Sequence, residues 1–127
     1  MALTAPGPET VEAFDNQTRG DILQPGDGGY DEARTVWNAM IDKKPAVIAR
    51  CTGTADVIAA VNFACDLDLR LAVKGGGHNI AGKGVCDDGL MIDLSLMNSV
   101  HIAPETQTAR DGGGATWEEF DHETQAF

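Results

Sequence analysis

PAVIARCTGTADVIAAVNFACDLDLRLAVKGGGHN, residues 45–79, is the stretch whose reading decides the fold. AVIAR (46–50) is a short apolar run of β-favouring residues, bounded by Pro45 on one side. Thr54 then offers an N-cap, Asp56 suits a first helical turn, and Val57, Ile58, Val61, Ala64 and Cys65 recur at helical spacing. That pattern predicts a helix ending near Leu67. RLAVK (70–74) is a second strand, so the stretch reads as strand–helix–strand with an expected right-handed crossover.

The helical period does not resume downstream until residue 115. LMIDLS (90–95), SVHIA (99–103) and TARDG (108–112) read as successive short strands, with turns at Met97-Asn98 and Pro104-Glu105. ATWEEFDHETQAF (115–127) turns helical, with Trp117, Phe120, and Thr124 or Phe127 on one side. The expected class is α+β: a strand–helix–strand unit followed by a small antiparallel meander. The chain ends within that last helix without a cap signal, which is the expectation for the N-terminal lobe of a longer protein. Upstream, residues 1–29 are rich in Pro, Gly and Asp and read as an N-terminal extension, with a short helical pattern near Glu9 to Asn16. YDEARTVWNA (30–39) reads as irregular or as one helical turn, with Tyr30 and Trp37 available to pack inward.

The chain has 127 residues, 43% of them hydrophobic, which is enough for a core. Twenty acidic against nine basic residues leave a net charge of −11, which argues against nucleic-acid binding. The acids are scattered, as on a solvated and salt-adapted surface. No apolar run approaches a membrane span, and MALTAPGPETVEAFD has neither the basic start nor the apolar stretch of a signal peptide; a cytoplasmic location is expected. The three cysteines form no CxxC pair and suggest neither a metal site nor a disulfide set. Cys51 and Cys65 are expected in the core and Cys86 at the surface.

KGGGHNIAGKG (74–84) puts five glycines, a histidine and two lysines in one loop. GHNIAGK (77–83) fits the spacing of a nucleotide-binding P-loop, but Gly84 stands where the magnesium-holding hydroxyl belongs, and strand-like residues follow where a helix should open. As a dinucleotide fingerprint with Gly75 and Gly77, its third glycine would fall at Ile80, so that pattern fails. A third reading fits better: backbone amides in turn conformations cradle a pyrophosphate, with Lys74 or Lys83 adding charge. A plain glycine-rich surface loop is the alternative.

The order of these motifs, from PAVIARCTGTADVIAAVNFACDLDLRLAVKGGGHN through LMIDLSLMNSV to TARDGGGATWEEFD, resembles the FAD-linked oxidases with a p-cresol methylhydroxylase-type flavin domain, and within them the berberine bridge enzyme-like branch. YDEARTVWN and the GD of QPGDGGY also look like that family's N-terminal segment. The resemblance implies an FAD-pyrophosphate-binding role for Gly75, Gly76, Gly77, His78, Asn79 and Gly82, and a flavin contact by Gly114 in GGGATW (112–117). For His78 it implies a bond from a ring nitrogen to the 8-methyl carbon of the flavin, with the imidazole as nucleophile, as in many members; a His78 that only hydrogen-bonds the cofactor is the alternative. The cysteine that makes a second flavin link in some members, the catalytic base and the substrate domain all fall beyond Phe127 in the family's order. No catalytic residue is therefore expected here, and Cys86 is not that second link. His101 and His122 are expected to be structural or solvated. The implied function is an FAD-dependent oxidase that moves hydride from an alcohol- or amine-type carbon of a small-molecule substrate to FAD. The 127-residue chain alone is expected to be inactive and to self-associate or to need a C-terminal part. A cofactor-free module acting by association is the competing reading.

Overall fold

The computed structural model describes residues 5–127. Its elements are helix α1 (Pro8–Asp15), strand β1 (Ile22–Leu23), helix α2 (Tyr30–Arg34), strand β2 (Val47–Arg50), helix α3 (Thr54–Asp66), strand β3 (Leu71–Lys74), strand β4 (Leu90–Asp93), strand β5 (Val100–Ala103), strand β6 (Thr108–Asp111) and helix α4 (Trp117–Thr124). Among the described residues no helix is long and apolar enough to cross a membrane.

Four strands make one sheet in the order β1-β2-β4-β3, and β5 and β6 make a separate antiparallel pair. The α+β class and the small antiparallel sheet thus match the expectation. One strand does not go where the spacing placed it: β4 lies between β2 and β3 and is parallel to both, with Ile48 and Ala72 flanking Met91. The meander is accordingly reduced to β5 and β6. The reason is burial on two faces. Leu90 and Ile92 pack under α3 with Val47 and Ala49, while Met91 packs on the opposite face with Ile48, Ala72 and Tyr30. A strand apolar on both faces belongs in the middle of a sheet, and a parallel neighbour needs a crossover of a dozen or more residues. Residues 75–89, glycine loop included, supply that crossover without a helix.

α3 begins where expected but is capped otherwise. Gly53, in extended conformation, occupies the N-cap position, and no side chain caps the helix there. The buried carboxylate of Asp56 instead accepts hydrogen bonds from Thr52 N and Oγ1 (both 2.9 Å), Arg19 N (2.9 Å) and Gly20 N (3.1 Å). The helix buries Ala60, Phe63 and Ala64, whereas Ile58, Val61 and Cys65 face outward. The expected stripe was therefore rotated, because Phe63 is drawn into a stack on Phe14 of α1 with ring centroids 4.2 Å apart. Cys65 is exposed and Cys86 buried, the reverse of the sequence reading; Cys86 is enclosed by the turn that returns the chain to β4, with its thiol 3.6 Å from the Leu90 carbonyl.

Residues 8–23 are tied into this body: Val11 and Phe14 join the α3 side of the core and β1 pairs antiparallel with β2. Tyr30 is buried, its hydroxyl donating to the Pro45 carbonyl at 2.6 Å. Trp37, expected inside, is 77% exposed. α4 starts at Trp117 with a capping box: Thr116 N donates to the Glu119 carboxylate, and Glu119 N to the Thr116 hydroxyl. It buries no residue completely.

Candidate cofactor-binding site

Because β2, β3 and β4 are parallel, all three end at the same edge of the sheet. In open sheets of this kind ligands lie outside the carboxyl ends of the strands. Three segments leave that edge: Cys51–Gly53, the loop opening at Gly75, and Leu94–Ser95. A fourth, Gly112–Gly114, is laid across them. Gly112 N donates to the Ser99 carbonyl (2.9 Å) and Gly114 N to the Met97 carbonyl (3.1 Å).

The two glycine segments meet. A Cβ at Gly75 would lie 2.7 Å from the Gly113 carbonyl oxygen, a contact that only glycine allows. Gly114 sits against the backbone of β4's end, where a Cβ would come within 1.7 Å of the Leu94 carbonyl oxygen. Gly113 is thus the member of that segment that faces the first loop, and Gly114 is the buried one that lets the segment settle on β4.

Within the first loop the amides of Gly75, Gly76, Gly77, His78 and Asn79 donate to no protein acceptor among the described residues. Gly77 has φ +77°, which reverses the backbone there, and its carbonyl accepts from Trp37 N at 2.9 Å. Successive unpaired amides around a left-handed residue form a concavity for an anion. Gly76 is exposed, and a Cβ there would meet only the His78 ring, at 3.3 Å. His78 and Asn79 are exposed on the same loop. The donor set therefore fits the pyrophosphate of FAD, which carries negative charge and needs close approach to the backbone.

Other groups hold the cradle in shape. Asn79 closes its own turn, accepting Gly82 N on its carbonyl (3.0 Å) and Lys83 N on Oδ1 (3.0 Å). Gly82 is buried with φ +65°, and a Cβ there would press on the Ile41 side chain at 2.9 Å. It supports the loop from beneath. Lys43 Nζ donates to the Gly82 carbonyl at 2.9 Å. Lys74 Nζ is spent on the Ala33 and Thr35 carbonyls (2.5 and 3.2 Å), and Lys83 is exposed. Lys74 is therefore committed to protein carbonyls, whereas the loop amides are not.

Three features escaped the sequence reading. Trp37 lies against His78, with ring centroids 4.9 Å apart and planes inclined by 25°. Asp56 knots the start of α3 to residues 19–20. Arg50, at the end of β2, faces the buried Asp93 at 3.4 Å beside a cleft of about 120 Å³ that Lys74 also lines. Only the pairing of β2 with β4 brings Arg50 and Asp93 together, and no sequence signal marks it. A larger cleft of about 560 Å³ between β5 and α4 is lined by Glu118, Glu119 and Glu123, a negative wall unsuited to phosphate. His122 borders that cleft and His101 is exposed on β5. The P-loop spacing at 77–83 leads into β4 and not into a helix, so no helix N-terminus faces it.

A family model described as FAD binding domain matches residues 45–127. (R)-6-hydroxynicotine oxidase of Paenarthrobacter nicotinovorans is 41% identical over 96 residues, which is 76% of this chain and 21% of that protein. Among solved structures, 6-hydroxy-D-nicotine oxidase from Arthrobacter nicotinovorans superimposes with a TM-score of 0.81 at 38% identity, covering 84% of this chain and 23% of the other. Glucooligosaccharide oxidase from Acremonium strictum, a protein with 6-S-cysteinyl, 8α-N1-histidyl FAD, superimposes with a TM-score of 0.82 at 28% identity, covering 92% and 25%. The chain spans about a fifth to a quarter of the length of these relatives.

Proposed function

The chain belongs to the FAD binding domain family, FAD is its cofactor, and from that premise we propose that it forms the FAD-pyrophosphate-binding portion of an FAD-dependent oxidoreductase. The carrying observation is the run of five amides from Gly75 to Asn79 that are unpaired among the described residues, beginning against Gly113, with His78 exposed among them. Those amides bind the pyrophosphate, the turn closed by Asn79 and Gly82 fixes the end of the run, and Gly113 lies against its start at Gly75. His78 would tether the flavin: a ring nitrogen would bond the 8-methyl carbon in place of one methyl hydrogen, with two protons and two electrons passing to the flavin ring and from there to oxygen, and the bond would prevent loss of the cofactor. Bound FAD supplies a two-electron acceptor for hydride from a substrate carbon, and oxygen or another acceptor restores it.

The substrate carbon is of alcohol or amine type, a range supported by relatives named for oxidising a hydroxynicotine and oligosaccharides. No residue of this chain is assigned as the base. Flavin absorbance that survives acid precipitation, and is released by acid from the His78→Ala variant, supports the tether. A protein that takes up no FAD at all overturns the reading.

A further inference from the structure

The Trp37–His78 pair is not explained by packing. Trp37 is 77% exposed and His78 is exposed as well, so the contact contributes nothing to the core. Yet it is held in place by built features. Val36, 7% exposed, anchors the segment, and Trp37 N donates to the carbonyl of Gly77, the residue that turns the chain into His78. A side chain at Gly77 would meet the Val36 Cα at 3.5 Å, so the two segments are in direct backbone contact. Neither ring nitrogen of His78 has a hydrogen-bond partner among the described residues. In most proteins a functional histidine is oriented by a hydrogen bond on one ring nitrogen. Here the indole face is what the imidazole rests against.

We propose that Trp37 is the positioning residue of His78: the indole fixes the plane of the imidazole by stacking, leaving a ring nitrogen uncommitted and aimed by geometry alone. This rests on the reading of His78 as the flavin tether. An unsupported histidine side chain divides its time among three χ1 wells, whereas a stacked one is held near a single orientation. Pre-orienting a reacting group raises the rate of its reaction. Trp37 therefore speeds attachment of the flavin without taking part in it.

The test compares the wild type with Trp37→Leu, Trp37→Phe and His78→Ala, each loaded with FAD. Acid-stable flavin is measured over time and divided by total flavin bound. Trp37→Leu should slow its appearance roughly three- to tenfold, the range expected from losing one rotamer preference and some alignment. Trp37→Phe, which retains an aromatic face, should keep most of the wild-type rate. In the FAD-free protein the imidazole C–H signals of His78, identified by their loss in His78→Ala, should be displaced by the indole ring current and should relax in Trp37→Leu. Signals unmoved by Trp37→Leu overturn the stacking, and signals that move while the attachment rate stays at the wild-type value overturn the positioning role. Equal loss of total flavin in the Leu and Phe variants also overturns it, in favour of a purely structural wall. Wild-type protein that binds FAD but holds none against acid, like His78→Ala, defeats the tether itself and the inference with it.

Discussion

Gly75 and Gly113 face each other so closely that a single methyl group on Gly75 would lie 2.7 Å from the Gly113 carbonyl oxygen. The contact joins the loop after β3 to the segment after β6. Gly75→Ala must therefore push the two glycine segments apart, at a cost of about 1–3 kcal/mol for overpacking. Gly76→Ala meets only the exposed His78 ring, at 3.3 Å, and should leave stability nearly unchanged while narrowing the cradle. Urea unfolding should separate the two variants, and FAD binding should fall in both.

The thiols should report the exchanged burial of Cys65 and Cys86. Burial, with Asp56 and Asp93 nearby, pushes the Cys51 thiol up to about 11, and burial likewise raises that of Cys86. Thiolate is the reactive form. In the native protein at pH 8 one thiol of the three, Cys65, should react quickly with a disulfide reagent. Prompt labelling of Cys86, located by peptide mapping, would contradict the enclosed turn before β4.

Asp56 predicts an acid limb of instability. Burial works to raise its pKa, but hydrogen bonds from Thr52, Arg19 and Gly20 outweigh it and hold the carboxyl below its ordinary 3.8. With the folded value lower than the unfolded one, this stabilisation is present above about pH 4 and is lost as pH falls through the folded value. Asp56→Ala strands those donors and should cost roughly 1–3 kcal/mol at pH 7. The unfolding midpoint of the variant should also depend less steeply on pH below 4 than that of the wild type.

Phe14 tests how far residues 8–23 belong to the folded unit. It is 1% exposed and stacked on Phe63. Phe14→Ala should cost about 3–5 kcal/mol, as a large cavity does. A change within a few tenths of a kcal/mol would show instead that α1 docks without supporting the sheet.

The surface offers one further check. With a net charge of −11, the folded chain repels itself, and counter-ions relieve that repulsion. The thermal midpoint should rise between low and molar potassium chloride. Indifference to salt would remove any ground for a salt-adapted surface.

Much of the strand–helix–strand unit was legible because its signals are local. The β-favouring run at 46–50, the helical spacing from Thr54 and the apolar 70–74 each announce an element by its own period, and the glycine loop stands out by composition alone. Elsewhere contacts with distant segments overrode the local signals. The α3 stripe was misplaced because its register depends on Phe63 meeting Phe14, a residue far away in sequence. Trp37 was expected inside because an indole is apolar, but its backbone is pinned to Gly77 on the rim of the sheet, which leaves the ring outside against His78.

Residue chemistry by itself thus determined most element types, the family and the loop proposed to hold the cofactor, all of which are written in short windows of periodicity and motif. Only tertiary structure decided that β4 enters between β2 and β3, that Gly113 closes on Gly75, and that Trp37 backs His78. Each of these turns on which distant segments can bury apolar surface together. A strand buried on both faces and a backbone contact that excludes even a methyl group are properties of pairs, and no single stretch of chain carries them.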